Sequence, residues 1–92
     1  MATMLIGYDL NRPGRNYDEL YSTIKNLGSW WHCLDSTWLV NTTLTPLEVA
    51  NRLWAKMDAN DRLLVTRARR STTAWAGMSQ DCVDWLRNTM ED

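Results

Sequence analysis

Phenylalanine is absent from this 92-residue chain, histidine occurs once, and there are only two cysteines, two prolines and four glycines. Cys33 and Cys82 form no CxxC or metal-ligand spacing, and His32 is the single imidazole, which argues against a structural zinc site. The two cysteines read as free, mostly buried thiols of a chain kept in a reducing cytoplasm. The apolar stretch Met4-Leu5-Ile6-Gly7-Tyr8 is far too short to span a membrane, and no basic segment of the signal-peptide type accompanies it. Charge of one sign is also missing. The formal net charge is −1, whereas a protein that grips long duplex DNA by counterion release carries a clear basic excess. A small or single-stranded ligand fits this balance better. There is no Gly-rich phosphate loop of the form GxxxxGK followed by Ser or Thr. Ser, His and Asp are present, but His32 near Asp35 in sequence is weak ground for a triad. No linker, repeat or low-complexity stretch divides the chain, so one domain spans residues 1–92.

What is present is apolar and rich in tryptophan. Hydrophobic residues make up 45% of the chain, ample for a core, and they include six Trp and three Tyr. Both types carry a polar handle and favour interfaces and base-stacking surfaces, although a shallow core can also absorb them. The run from Thr3 to Leu10, closed by Asn11-Arg12-Pro13-Gly14, reads as a buried strand entering a loop. Asn16 suits an N-cap, with Asp18 and Glu19 in the first turn. Tyr17, Leu20, Tyr21, Ile24 and Leu27 then form one apolar helical face, stopped by Gly28. A strand is predicted from Thr37 to Asn41, preceded by a short extended piece over Trp30 to Cys33. Thr45-Pro46-Leu47-Glu48 is a capping box with Pro at the first helical position. Its helix presents Val49, Ala50, Leu53, Trp54 and Met57 on one side and breaks at Asp58-Ala59-Asn60-Asp61. Arg62 to Arg69 alternates as a strand, with Leu63 and Val65 sharing a face. Thr72 to Ala76 reads as a weak further strand ended by Gly77. Ser79 caps a short final helix through Met90 with Cys82, Val83, Leu86 and Met90 as its apolar set. Helices alternating with strands in so short a chain place the helices on one face of a small sheet, an α+β domain. The pairing order stays open at this level.

The strand ending in Tyr8-Asp9-Leu10-Asn11, the amphipathic helix after it, Trp30-Trp31-His32, Leu34-Asp35-Ser36-Thr37-Trp38 and Asn60-Asp61-Arg62-Leu63-Leu64-Val65 together resemble a group of small proteins. These are often labelled "SinR family", meaning those with a fold like the CRISPR-associated adaptation nuclease and VapD-like toxins, not the repressor of that name. The resemblance covers roughly Met4 to Arg67. It implies a ferredoxin-like βαββαβ sandwich, here followed by a short C-terminal helix, and a symmetric homodimer. It also implies a role for Asp9, the residue matching the proposed metal-binding catalytic Asp that closes the first strand and faces its copy across the dimer.

Three constellations carry the chemistry. Two Asp9 carboxylates across a twofold axis could hold Mg²⁺, with Asp35 or Asp61 as further acids; the plain alternative is that Asp9 opens a turn with Asn11. Trp30 and His32 fall on one face of an extended strand and Trp31 on the other. The first pair then offers an indole for base stacking and an imidazole for a phosphate or base edge, while Trp31 belongs to core or interface. Arg67, Arg69 and Arg70 form a basic spot, joined in sequence by Arg62; Arg67 and Arg69, two apart, suit bidentate phosphate contacts or, equally, a charged strand edge. Arg12 and Arg15 flank Pro13-Gly14 close to Asp9 and would complete an Arg-lined, aromatic-floored pocket if their loop meets the Trp-His segment. The expected ligand residues are thus Tyr8, Asn11, Arg12, Arg15, Trp30, His32, Arg67 and Arg69. The favoured reading is a homodimer that binds a nucleotide, cyclic nucleotide or short single strand, with no resident cofactor. Compactness and near-neutral charge would suit a phage or mobile-element protein sequestering a nucleotide signal. The alternatives are a Mg²⁺-dependent endoribonuclease using Asp9, and a protein–protein adaptor with a Trp-rich face.

Overall fold

Alternation along the first apolar run decides the architecture. In the computed structural model, which describes residues 1–92, Met4, Ile6 and Tyr8 of β1 (Ala2–Asp9) are buried on one side of the sheet. β2 (Trp30–Leu34), β3 (Thr37–Thr42) and β4 (Arg62–Ala68) complete a four-stranded sheet in the order β2-β3-β1-β4. Every neighbouring pair is antiparallel. β1 therefore lies in the interior, while β2 and β4 are the two edges. α1 (Asp18–Lys25) and α2 (Pro46–Trp54) cross one face, and α3 (Gln80–Asn88) lies on the other side. The result is an α+β domain with three helices. No helix is long and apolar enough to cross a membrane.

The core is split accordingly. Leu20 and Ile24 of α1 and Val49 and Leu53 of α2 pack with Met4, Ile6, Trp38 and Val40, closed by Tyr17 and Met57. On the second face, Trp31, Leu39, Leu86 and Met90 form a smaller cluster joined by Trp75 and Met78. The capping box forms as expected: the Thr45 hydroxyl accepts from Glu48 N at 3.2 Å and Glu48 Oε1 accepts from Thr45 N at 3.1 Å. α1 begins two residues after Asn16. Asn16 Oδ1 instead accepts from Asp18 N at 2.8 Å, a local turn just ahead of the helix. α1 ends at Lys25, and the chain then passes so near β3 that a Cβ on Gly28 would overlap the Asn41 carbonyl oxygen.

Three expectations need correction. Thr72 to Ala76 is no strand. A 3-10 turn covers Arg70–Thr72, and the segment after it pairs with nothing. Its burial still alternates, half-buried at Thr73 and Trp75 and exposed at Ala74 and Ala76, because Trp75 and Met78 plug the second cluster. Trp54 is not core: it is 45% exposed at the last position of α2. Val49 and Leu53, four apart, occupy the buried centre of the helix stripe, which leaves Trp54 on its flank. The extended piece expected over Trp30 to Cys33 does form, as an edge strand hydrogen-bonded to β3. Finally, the thiols are not free. Cys33 of β2 and Cys82 of α3 form a disulfide with Cα atoms 6.4 Å apart. The placement in a reducing cytoplasm rested on free thiols and loses that support.

The chain end is tied down by polar contacts. Thr3 N donates to Glu91 Oε2 at 3.1 Å, Glu91 N donates to Thr3 Oγ1 at 2.7 Å, and Asn41 Nδ2 donates to the Thr89 carbonyl at 2.6 Å. Arg67 forms a bidentate ion pair with Glu91. Hydrogen bonds from Arg67, helped by the Thr3 amide, hold the Glu91 carboxyl down to about 2 against the cost of its burial.

Candidate functional site

β1 leaves the sheet where β4 enters it, with Asp9 directly opposite Arg62 in the register. Two depressions meet at this corner. One, of about 380 Å³, lies on the sheet face opposite α1 and α2 and is lined by Gly7, Asp9, Ser36, Thr37, Arg62 and Leu64 among others. The other, of about 440 Å³, lies between α2 and the β4 edge and is lined by Ala50, Asn51, Trp54, Asp61, Arg62 and Leu63. Arg62 and Leu63 line both. Arg62 is exposed and, as the residue opposite Asp9, borders both depressions.

The corner is held by one buried carboxylate. Asp61, 5% exposed, accepts from Asn11 N at 2.7 Å, from the Tyr17 hydroxyl at 2.8 Å and from Asp58 N at 2.8 Å. Burial opposes its ionisation, but these three donors and the nearby Arg15 charge outweigh it and keep Asp61 below the usual carboxylate range. Asp58 is likewise held low, by the Asn60 backbone N–H and by Arg12. Arg12 pairs with Asp58 at 3.0 Å. Arg15 donates to the Lys56 carbonyl at 3.0 Å and sits 3.8 Å from Asp58. Asn11 adds a bond to the Asn60 carbonyl at 3.0 Å. Asn11, Arg12 and Arg15 thus stitch the β1–α1 loop to the α2–β4 connection.

Not every cation at this corner is paired. The ion pairs of the chain are Arg12–Asp58, Arg15–Asp58, Arg67–Glu91 and Arg70–Asp92, and Arg62 belongs to none of them. It shares its depression with Trp54, whose indole is 45% exposed, and with Asn51, which is also exposed. An exposed arginine, indole and carboxamide bordering one depression supply groups that can respectively grip an anion, stack on a planar ring and read a donor–acceptor edge.

The other expected residues lie elsewhere. Tyr8 is buried; its hydroxyl accepts from Trp38 Nε1 at 3.0 Å and lies 3.5 Å from the Asp35 carbonyl, and burial raises its pKa above the ordinary phenol value. Trp30 and His32 share a face of β2, as period two requires, and Trp31 is buried on the opposite side, donating to the Cys82 carbonyl at 3.1 Å. The His32 ring stacks on Trp38 with centroids 3.7 Å apart, and its Nε2 is 3.1 Å from the Asp35 carbonyl. Trp30 packs against Trp38 at 5.5 Å and carries Lys25 Nζ 5.0 Å from its ring centre. Within one chain the pocket joining Trp30 and His32 to the arginines does not form. β2 and β4 are opposite edges of the sheet, roughly 14 Å apart at ~4.8 Å per strand, and the Arg12–Arg15 loop faces the β4 side. Arg67 is occupied by Glu91, and Arg69 lies just beyond the far end of β4.

Asp9 is exposed, and no group of three His, Cys, Asp or Glu side chains converges to hold a metal in the chain. Asp61 is spent on its own network and Asp35 sits in the β2–β3 hairpin, so Asp9 alone faces its depression as an acid. Sequence reasoning missed Trp54, Arg62 and Asn51 as a set. The available signal was Trp54 in the last helical turn, just before the break whose far side is Arg62. No protein-family model matches this chain, and no solved structure matches it.

Proposed function

We propose that this chain is a homodimeric binding protein for a nucleotide or a short single strand, with a ferredoxin-like fold and a site centred on Arg62. The observation that carries the reading is an arginine without a carboxylate partner sharing a groove with an exposed tryptophan. Trp54 stacks on the base, a contact worth about 1–3 kcal/mol. Arg62 takes a phosphate through paired N–H donors. Asn51 offers one donor and one acceptor to a base edge. Asp9, opposite Arg62 in the register, suits a ribose hydroxyl or an exocyclic amine and disfavours a second phosphate there. The net charge of −1 agrees with a ligand carrying few phosphates rather than a duplex.

The strand order β2-β3-β1-β4, with α1 and α2 on one face, supports the ferredoxin-like assignment and with it the likeness to the SinR-family proteins. Two features support a homodimer: the open β4 edge, and Leu64 and Leu34 standing 62% and 46% exposed. Exposed apolar side chains of this size beside a free strand edge favour association. A second reading, a Mg²⁺-dependent endoribonuclease, is favoured by Asp9 alone, which lies exposed beside a depression; it requires a second copy to supply the other carboxylate.

The test is calorimetric titration of nucleoside mono- and triphosphates, cyclic nucleotides and short oligonucleotides into the wild type and four variants. Trp54→Ala and Arg62→Ala should each weaken binding at least tenfold, while Trp30→Ala leaves it within about twofold and Asp9→Asn has a smaller effect than either. Binding lost in Trp30→Ala and kept in Trp54→Ala would move the site to the other edge. RNA cleavage that needs Mg²⁺ and disappears in Asp9→Asn would establish the nuclease instead.

A further inference from the structure

The segment 73–78 and α3 do not fill the space they cover. Between them and the sheet lies a cavity of about 190 Å³, and ten of its twelve lining residues are hydrophobic. Its only polar members are Thr37 and Thr73; no charged side chain reaches it. Protein interiors are packed to crystal density with few voids larger than one water. This pocket is instead partly open to solvent, beside the exposed Leu34 and Ala74. Water held there would need two to four polar partners, which the lining does not offer. Enclosed apolar cavities of about 150 Å³ accept benzene or xenon, so a pocket of this volume suits a ligand of that bulk.

The walls are fixed, which keeps the cavity from collapsing. The sheet forms the floor, including Leu39, and α3 contributes Leu86. The disulfide Cys33–Cys82 ties that helix to β2, and Trp31, which also lines the cavity, hydrogen-bonds the Cys82 carbonyl. Trp75 and Met78 close the third side from the unpaired segment. We propose that this cavity is a binding site for one small, neutral, apolar molecule with the bulk of a single aromatic ring. Its lack of charge rejects phosphates, so it is a different site from the groove at Arg62; of its residues only Thr37 also lines the depression beside Asp9.

Toluene is a suitable probe, read by ¹H–¹⁵N NMR on the full, oxidised chain. The Trp31 and Trp75 indole N–H signals and the Leu39 amide should shift saturably, with a dissociation constant on the order of 1 mM. Ala68→Leu adds bulk from the floor and should weaken toluene at least tenfold while the unfolding midpoint stays level or rises. If that variant fails to fold, Ala74→Leu, which fills from the unpaired segment, is read the same way. No saturable shift in the wild type, as when a second copy covers the cavity, overturns the proposal. So do shifts that persist unchanged in the filled variant.

Discussion

Replacing Asp61 by alanine removes the carboxylate that three donors share, the Asn11 and Asp58 backbone N–H groups and the Tyr17 hydroxyl. Hydrogen bonds to a charged acceptor contribute about 1.5–3 kcal/mol each, and buried donors left without a partner add a desolvation cost. The Asn11 and Asp58 amides are only partly buried, so water recovers part of the loss. A net destabilisation of about 3–4 kcal/mol follows, a large share of the roughly 5–14 kcal/mol expected for a chain of this length. At ~4–8 °C per kcal/mol, the midpoint should fall by roughly 12–32 °C. Asp61→Asn keeps one acceptor oxygen and should lose less. Tyr17→Phe removes one donor of the three and should cost only about 1–1.5 kcal/mol. The pH dependence gives a second check. The folded-state pKa of Asp61 is depressed, so its contribution is complete above about pH 4, the unfolded value, and is lost as pH falls through the folded one. The gap between wild type and Asp61→Ala, measured by thermal circular dichroism, should therefore close on acidification. A loss under 1 kcal/mol in Asp61→Ala at pH 7, or a Tyr17→Phe loss as large as that of Asp61→Ala, would refute the shared-carboxylate account.

Glu91, held at about 2, should support the docked chain end above pH 4.5 and release it as pH falls toward 2. Protection of the Arg70 and Glu91 amides, taken relative to the intrinsic exchange rate at each pH, should fall over that window and should not change with pH in Glu91→Gln. Gly28→Ala forces a Cβ into the Asn41 carbonyl and should cost about 1–3 kcal/mol in urea unfolding; an unchanged midpoint would mean that the chain passes β3 differently. Cys33 and Cys82 are 49 positions apart, and cross-linking a loop of that length is worth about 4 kcal/mol in the chain-entropy model. Reduction, verified by thiol titration, should thus lower stability by about 2–4 kcal/mol, and equal midpoints before and after would contradict the bond.

Local patterns were readable wherever a local interaction decides. Thr45 and Glu48 cap α2 because both partners lie within one turn of each other. Trp30, Trp31 and His32 divide between faces because strand geometry alone requires it. Long-range pairing was not readable. Thr73 and Trp75 alternate in burial like a strand, but only another strand beside them could have made them one, and β4 keeps that edge open. Cys33 and Cys82 show no motif spacing, since their bond depends on where α3 lands. The expected pocket failed for the same reason: Trp30 and Arg67 belong to strands whose order sets them at opposite edges.

That order also explains why the open chemistry gathers at one corner. The second face of the sheet must bury Trp31, Leu39 and Leu5, and α3 with the segment before it does so from the Arg69 end, anchored by Glu91 on Thr3 and Arg67. Cover fixed at the start of β1 leaves the end of β1 bare, where Gly7 and Asp9 alternate onto the same face as Leu5. Antiparallel pairing brings the first residue of β4, Arg62, against the last of β1. The helix leading into β4 ends on Trp54, so the indole arrives at the same edge. Asp61 is then the buried carboxylate that joins the loop after β1 to the turn before β4, together with Arg12 on Asp58 and Arg15 on the Lys56 carbonyl. Its network spends the neighbouring Asn11 and Tyr17 and leaves Arg62 free, which is the condition a phosphate contact requires.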